Sequence, residues 1–213
     1  DSIPGLVLRL AIPAMLAQFV NVLYSIVDRI FIGNIPVIGG DALAGAGICA
    51  PVVTLISSFA LLAGMGGAPL MAIRMGEGNQ EGARKILANC AALLLGLAVG
   101  LTVLFLIFKK PLLMAFGASA ATYPYADTYM TIYTLGAVFA ILATGLNLFI
   151  TCQGYATMSM LTVIIGAVVN IVLDPIFIFG LNMGVAGAAI ATVIAQGCSC
   201  AFVLRTLLSS GIR

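Results

Sequence analysis

Six long apolar stretches make up most of this chain, and they constrain its fold more than any other feature of the sequence. Short breaks that contain glycine, proline or charged residues separate them. A helix needs about 20 mostly apolar residues to cross the hydrocarbon core of a bilayer, and each stretch reaches that length. The stretches cover residues 6–32, 42–74, 86–108, 125–152, 160–179 and 185–208. The sequence therefore predicts an all-α membrane protein, in which residues 1–213 form one bundle of six transmembrane helices.

The balance of apolar and charged residues excludes a soluble domain. Hydrophobic residues make up 62% of the chain and charged residues 8%, whereas soluble domains have about 45–50% and about 25%. The nine basic and seven acidic residues are too few to cover an apolar core of this size, so we expect lipid to cover it. The basic residues form no stripe or cluster, and nucleic acid is therefore not an expected partner.

The basic residues near the ends of the predicted spans indicate the orientation of the chain in the membrane. Cytoplasmic loops are enriched in lysine and arginine. One side of the predicted bundle carries Arg9, Arg74, Arg84, Lys85, Arg205 and Arg213, and the other carries Lys109 and Lys110. This distribution predicts a multi-pass protein of the cytoplasmic membrane with both termini in the cytoplasm.

Two acidic residues lie deep inside predicted spans, where a charge costs about 2.5–3.5 kcal/mol on insertion scales. Asp28 lies in the first span and Asp174 in the fifth. Asn170 lies one helical turn before Asp174, and Pro175 deprives the Ile171 carbonyl of its helical donor. Hard cations such as sodium bind carboxylate, amide and free carbonyl oxygens of this kind. The alternative is that Asn170 and Asp174 form hydrogen bonds with neighbouring helices.

The first span carries a polar stripe on an otherwise apolar helix. Its members recur every three or four residues and comprise Gln18, Asn21, Tyr24, Ser25 and Asp28. Such a stripe has to face protein or water, which favours a cavity wall over isolated hydrogen bonds between helices. Arg29 offers another interpretation of its last member, because an arginine that extends to the headgroups would place Asp28 at the interface. Pro13, in the same span, removes the hydrogen bond to the Arg9 carbonyl and predicts a bend or a flexing point.

These segments resemble the N-terminal lobe of the multidrug and toxic compound extrusion (MATE) family of transporters. The resemblance extends over essentially the whole chain and is carried by AIPAMLAQFVNVLYSIVDRIFIGN, DALAGAGICAP, GMGGAPLMAIRMGEGNQEGARK and NIVLDPIFIFGLNMGVAGAAIATVIAQ. It implies one six-helix lobe of a twelve-helix transporter, whose partner is a C-terminal six-helix lobe absent from this chain. It also implies export of drugs or amphipathic, often cationic, organic compounds in exchange for Na⁺ or H⁺, with no cofactor besides the coupling ion.

The resemblance further implies roles for individual residues. The positions that match a cation site of the family, where Na⁺ is one possible ligand, are Asp28, Asn170, Asp174 and Thr192. The positions that match substrate contacts are Asn21, Tyr24, Tyr129 and Asn147. Pro13 matches the bend of the first helix.

Three other functions are compatible with a six-helix membrane chain. The first is a lipid-linked oligosaccharide flippase of the same superfamily. Such flippases tend to have a more charged cavity, whereas only two acidic residues lie deep in the predicted spans of this chain. The second is the six-helix substrate-binding subunit of an importer. The third is a membrane-embedded enzyme. The chain contains no histidine, which excludes a serine–histidine pair and a histidine-bound zinc, and it lacks the GxGD motif of aspartyl proteases. We therefore do not expect an enzyme.

Overall fold

The fold is known from a computed structural model that describes residues 3–209. Within these residues the chain forms eight α-helices joined by short turns, with one π-helical segment before the last helix. The helices are α1 (Ile3–Gly33), α2 (Gly39–Ile48), α3 (Ala50–Gly76), α4 (Gln80–Ala115), α5 (Tyr123–Leu135), α6 (Ala137–Cys152), α7 (Ala156–Pro175) and α8 (Gly184–Ser209), and the π-helical segment is Ile176–Gly180.

These helices form six membrane spans, as the hydropathy pattern predicts. Helices α2 and α3 follow each other as one apolar span, Gly39–Gly76, and α7 continues into the π-helical segment as another, Ala156–Gly180. Helices α5 and α6 make a single span that is bent by 55°. With α1, α4 and α8 this gives the six-helix bundle of a multi-pass membrane protein.

Two of the loops expected from the sequence are largely helical. The predicted span 86–108 is the centre of α4, which begins at Gln80 and continues through Pro111 to Ala115. Asn79 caps this helix, because its side chain accepts a hydrogen bond from the Gly82 N–H over 2.8 Å. Lys85 and Glu81 form an ion pair on the first turns of the helix, with 2.7 Å between Nζ and Oε1. The hydropathy pattern therefore predicts the part of the helix that lies in the membrane, whereas the N-cap determines the residue at which the helix begins.

The predicted span 125–152 is broken at Gly136. Val193 of α8 packs against this glycine, and a Cβ atom there would lie 2.5 Å from the valine methyl groups. The close approach and the 55° bend together direct α5 away from the axis of α6. As a result α5 packs against α2, α4 and α8 and carries its tyrosines towards the middle of the bundle.

The end of α7 changes its hydrogen-bonding pattern after Pro175. The Leu181 N–H donates to the Ile176 carbonyl over 2.9 Å, five residues back, which is the pattern of a π-helix. Gly187 of α8 packs against this segment, where a Cβ atom would lie 2.8 Å from the Phe177 carbonyl oxygen. Pro175 has no N–H group and Gly187 has no Cβ atom, and together these features allow the end of α7 to lie close to the start of α8.

Small residues also bring α3 and α6 together. A Cβ atom on Gly64 would lie 2.7 Å from the Gly145 carbonyl oxygen, and one on Gly145 would lie 3.1 Å from the Ala60 carbonyl oxygen. Close backbone contact is the main source of packing energy between membrane helices. Helix α8 lies centrally and packs against α5, α6 and α7, whereas α1 packs mainly against α7.

An ion pair joins α4 to α5 at the side of the bundle away from the termini. Lys109 Nζ lies 2.9 Å from Asp127 Oδ1 and also donates to Thr131 Oγ1 over 3.1 Å. The Asp127 carboxylate is partly buried, and its basic partner lies 18 positions earlier in the sequence.

Candidate functional site: a carboxyl pair beside two cavities

Two polar side chains of α7 lie in the buried interior of the bundle. Asp174 is 0% exposed and Asn170 is 1% exposed. Their four-residue spacing puts both on one face of the helix, and Asn170 Nδ2 donates to Asp174 Oδ1 over 3.3 Å. Helix α7 ends at Pro175 and the π-helical segment follows at once, so the Asp174 carboxyl group lies beside the point where α7 ceases to be regular.

Helix α8 adds a hydroxyl group to this pair. Thr192 is 8% exposed, and its Oγ1 accepts a hydrogen bond from Asn170 Nδ2 over 3.4 Å. The hydroxyl donates its own proton to the Ala188 carbonyl over 3.0 Å. The Asn170 amide therefore bridges Asp174 on its own helix and Thr192 on the neighbouring one.

Helix α1 contributes the second carboxyl group. Asp28 is partly buried, and its carboxyl group lies within hydrogen-bonding reach of that of Asp174. Two carboxylates this close cannot both be negatively charged unless a cation neutralises them or one carries a proton. Among residues 3–209, no direct ion pair joins Arg29 to Asp28.

Several acceptor atoms of this cluster have no hydrogen-bond donor. Asp28 Oδ1, Asp174 Oδ2 and Asn170 Oδ1 are all buried without a partner. A buried acceptor without a donor costs about 1–3 kcal/mol, and more if it is charged. Oxygen atoms arranged in this way are suited to a hard cation, which prefers carboxylate and amide oxygens, or to a proton shared by the carboxyl pair.

A cavity of about 220 Å³ adjoins the carboxyl pair. Asp28 and Arg29 of α1 lie on its wall, and α5 contributes Tyr129 and Tyr133. The two tyrosine rings are stacked, with their centroids 6.2 Å apart and an angle of 8° between their planes. The smaller cavity therefore combines both signs of charge with an aromatic surface.

A second cavity, of about 390 Å³, has Asn170 on its wall. Its polar wall is neutral and includes Gln18 and Asn21 of α1, Asn147 of α6 and Ser199 of α8. Asn147 Nδ2 donates to the Ser159 carbonyl over 3.2 Å, and its Oδ1 is buried without a partner. A volume of this size is in the range of small-molecule sites.

Comparison with known proteins shows the family of this chain. The family model described as MatE matches residues 13–176, which is most of the sequence. The chain belongs to the MATE family. It is therefore a multi-pass membrane protein, and the expected resemblance is confirmed.

Characterised members of the MATE family are similar to most of this chain. It is 29% identical over 190 residues to the FAD transporter of Shewanella oneidensis, an alignment of 87% of this chain and 41% of the relative. It is 28% identical over 198 residues to the multidrug export protein MepA of Staphylococcus haemolyticus, covering 92% of this chain and 43% of the relative. Both relatives are described as transport or export proteins rather than enzymes.

Solved MATE structures have the same fold. The structure of the MATE multidrug transporter DinF-BH is 41% identical, with a TM-score of 0.92 over 98% of this chain and 46% of that one. A transporter from Pyrococcus furiosus, described as having a binding pocket of reverse polarity, is 31% identical with a TM-score of 0.88, over 96% of this chain and 45% of that one. MATE structures described as the bent and the straight conformation match equally well, each with a TM-score of 0.88.

The chain spans about two fifths of the length of the curated MATE relatives that it matches. It corresponds to the N-terminal half of a MATE transporter. The alternative of an importer subunit that resembles MATE by coincidence is excluded by the family match.

The structure brings some of the expected MATE site residues together and separates others. The four positions expected to bind a cation form the cluster of α1, α7 and α8. The four positions expected to contact substrate divide between the cavities, with Asn21 and Asn147 on the larger one, Tyr129 on the smaller one and Tyr24 on both. Pro13 lies in α1, which is helical without interruption on either side of it.

One residue of the site is missed by sequence reasoning. Gln196 of α8 lies on the walls of both cavities. It follows Thr192 by four residues, so that it lies one turn further along the same helical face. That spacing is the signal that could have identified it.

Proposed function

We propose that this chain is the N-terminal lobe of an antiporter that exports drugs or other amphipathic organic compounds across the cytoplasmic membrane in exchange for Na⁺ or H⁺. The observation that carries the proposal is the buried cluster of α1, α7 and α8, in which two carboxyl groups and an amide present acceptor atoms without donors. Polar groups of this kind are rare inside membrane helices and mark ion or substrate pathways.

The coupling ion binds at Asp28, Asn170, Asp174 and Thr192. A sodium ion at this cluster offsets the charge of one of the two carboxylates and gives a partner to Asp174 Oδ2 and Asn170 Oδ1, which have no hydrogen-bond donor. A proton shared by Asp28 and Asp174 removes the repulsion between them in a different way. Either ion makes the three-helix contact more favourable, and no further cofactor is needed.

Exchange follows because the ion and the substrate use adjoining space. Asp28 belongs to the cluster and also lies on the wall of the smaller cavity, where a cationic substrate would contact it. Coupling requires only that the two ligands prefer different conformations of the lobe. We assign the moving element to α1, with Pro13 as the flexing point, because a proline inside a helix removes a backbone hydrogen bond and lets the helix bend there.

The substrate occupies the two cavities and contacts Asn21, Tyr24, Tyr129 and Asn147. The export of drugs is supported by the relatives described as multidrug export proteins. The cavity walls include few charged side chains, namely Asp28 and Arg29 on the smaller cavity, and this favours a small amphipathic compound over a lipid-linked oligosaccharide. The C-terminal six-helix lobe is the expected partner, and the distribution of basic residues favours a cytoplasmic location for both termini of this lobe.

An export assay tests the proposal. The full-length protein is expressed in cells that lack their own exporters, and ethidium efflux is followed by fluorescence while the sodium and proton gradients are collapsed one at a time. We expect efflux that depends on one of the gradients and is abolished in Asp174→Asn. Asp41→Asn, which removes an exposed carboxylate outside the site, should retain it. Gradient-dependent efflux that survives in Asp174→Asn would refute the proposal.

A further inference from the structure

The two cavities share a wall made of three side chains. Tyr24 of α1 and Thr192 and Gln196 of α8 line both cavities, and the remaining lining residues belong to one cavity or the other. Thr192 and Gln196 are one helical turn apart, about 5.4 Å along α8. We call Tyr24, Thr192 and Gln196 the shared wall.

The shared wall separates two different electrostatic environments. The smaller cavity contains the Asp28 carboxyl group and the Arg29 guanidinium group. The larger cavity is lined by amides, hydroxyl groups and apolar side chains, and none of the described residues on its wall is charged. A substrate that occupies both cavities therefore passes from a neutral, hydrogen-bonding surface to a charged one at the shared wall.

The shared wall offers a molecule in the cavities the Tyr24 hydroxyl group and the Gln196 amide, and the amide provides more hydrogen-bonding groups than the hydroxyl. The Thr192 hydroxyl group is already used, because it accepts from Asn170 and donates to Ala188. The Gln196 side chain is partly buried, and within residues 3–209 it makes no hydrogen bond to the protein. A primary amide offers two N–H donors and a carbonyl oxygen that accepts. These groups are available to a molecule in either cavity.

We infer that Gln196 is a specificity-determining residue, whose amide binds the substrate where it passes from the neutral cavity to the carboxyl pair. The inference rests on the proposed function, since it assigns a residue to the substrate of that transporter. A neutral amide that donates and accepts admits both uncharged and cationic compounds. A carboxylate at the same position, one turn from Thr192, would favour cations and exclude hydrogen-bond acceptors.

Binding to two fluorescent probes tests this role. Ethidium is a planar cation, and 7-amino-4-methylcoumarin is a planar neutral molecule with a donor and acceptors. Fluorescence anisotropy gives the Kd of each for the full-length protein and for Gln196→Glu and Gln196→Leu. The control is Gln153→Leu, which removes an amide at the end of α6 that lines neither cavity.

We expect Gln196→Leu to weaken coumarin binding by about fivefold, the range of one neutral hydrogen bond. We expect Gln196→Glu to tighten ethidium and weaken coumarin, so that the ratio of the two Kd values changes by about tenfold or more. Gln196→Glu preserves the shape of the side chain. If the leucine variant does not fold, the glutamate variant alone tests whether Gln196 determines specificity. Gln153→Leu should leave the ratio unchanged.

An unchanged ratio in Gln196→Glu, an equal change in Gln153→Leu, or a wild-type protein that binds neither probe would each overturn the inference. The proposed function and the role of Gln196 can be rejected independently of each other. If efflux depends on no ion gradient while the Gln196→Glu ratio shifts, the antiport is rejected and the assignment of Gln196 is kept. If efflux is coupled and the ratio is constant, only the assignment is rejected.

Discussion

The Asp174→Asn variant should lose the stabilisation that the coupling ion gives to the folded protein. In the wild type, a sodium ion at the cluster is a partner for Asp174 Oδ2 and Asn170 Oδ1, which have no donor, and it offsets the charge of one carboxylate of the pair. The asparagine variant removes one of the two carboxylates and places a donor beside the other. We therefore expect a variant that folds at least as stably without sodium as the wild type and gains nothing from its addition.

The size of the effect follows from the affinity of the site. A ligand that binds only the folded state raises the free energy of unfolding by about 1.4 kcal/mol at ten times its Kd and by about 2.7 kcal/mol at a hundred times its Kd. For a chain of about 200 residues, 1 kcal/mol corresponds to a Tm change of about 2–4 °C. The wild type should therefore gain roughly 3–10 °C over this range of sodium concentration.

The assay is thermal unfolding of the purified protein in detergent, with sodium replacing potassium at constant ionic strength. Asp41→Asn is the matched control, because it removes a carboxylate that is exposed at the start of α2, and it should respond to sodium like the wild type. A sodium-dependent Tm shift that persists in Asp174→Asn would refute the reasoning. If sodium has no effect and acid stabilises the wild type but not Asp174→Asn, the coupling ion is the proton.

Two further predictions concern the scaffold and are measured by thermal unfolding. Gly64→Ala should lower the free energy of unfolding by about 1–3 kcal/mol, because its methyl group would lie 2.7 Å from a carbonyl oxygen of α6. Gly66→Ala, whose methyl group would meet open space, should have no such effect, and equal losses would contradict the packing argument. Lys109→Met should cost about 0.5–1 kcal/mol, a modest value because both partners of its ion pair with Asp127 are about 30% exposed. Lys110→Met, on an exposed side chain, should be neutral, and a loss as large as that of Lys109→Met would argue against the ion pair.

Hydropathy alone predicts the number of spans but not where their helices break. The start of α4 depends on the Asn79 cap, which operates among polar residues that hydropathy assigns to a loop. The bend at Gly136 depends on the side chain of Val193, 57 positions later in the sequence. A glycine within an apolar run predicts close packing, and only the position of the neighbouring helix determines whether the chain also bends there.

The sequence predicts which site residues lie together when they belong to one helix, but not when they belong to different helices. Asn170 and Asp174 are four residues apart, so helix geometry alone places them together. Thr192 joins them only through the packing of α8 on α7, and the sequence identifies it solely through the family resemblance. Gln196 is missed because it requires both the position of α8 and the shape of two cavities.

The packing of α1 also has a consequence for how the protein is made. Helix α1 packs mainly against α7, and none of the residues in its most apolar 18-residue stretch is buried within the chain. More than a hundred residues separate the two helices in the sequence, and at about 5–20 residues per second the ribosome needs roughly 5–25 s to reach α7. During this interval Asp28 has no Asp174 beside it. We therefore expect the polar stripe of the first helix to remain in contact with the translocation machinery or with water until α7 is made.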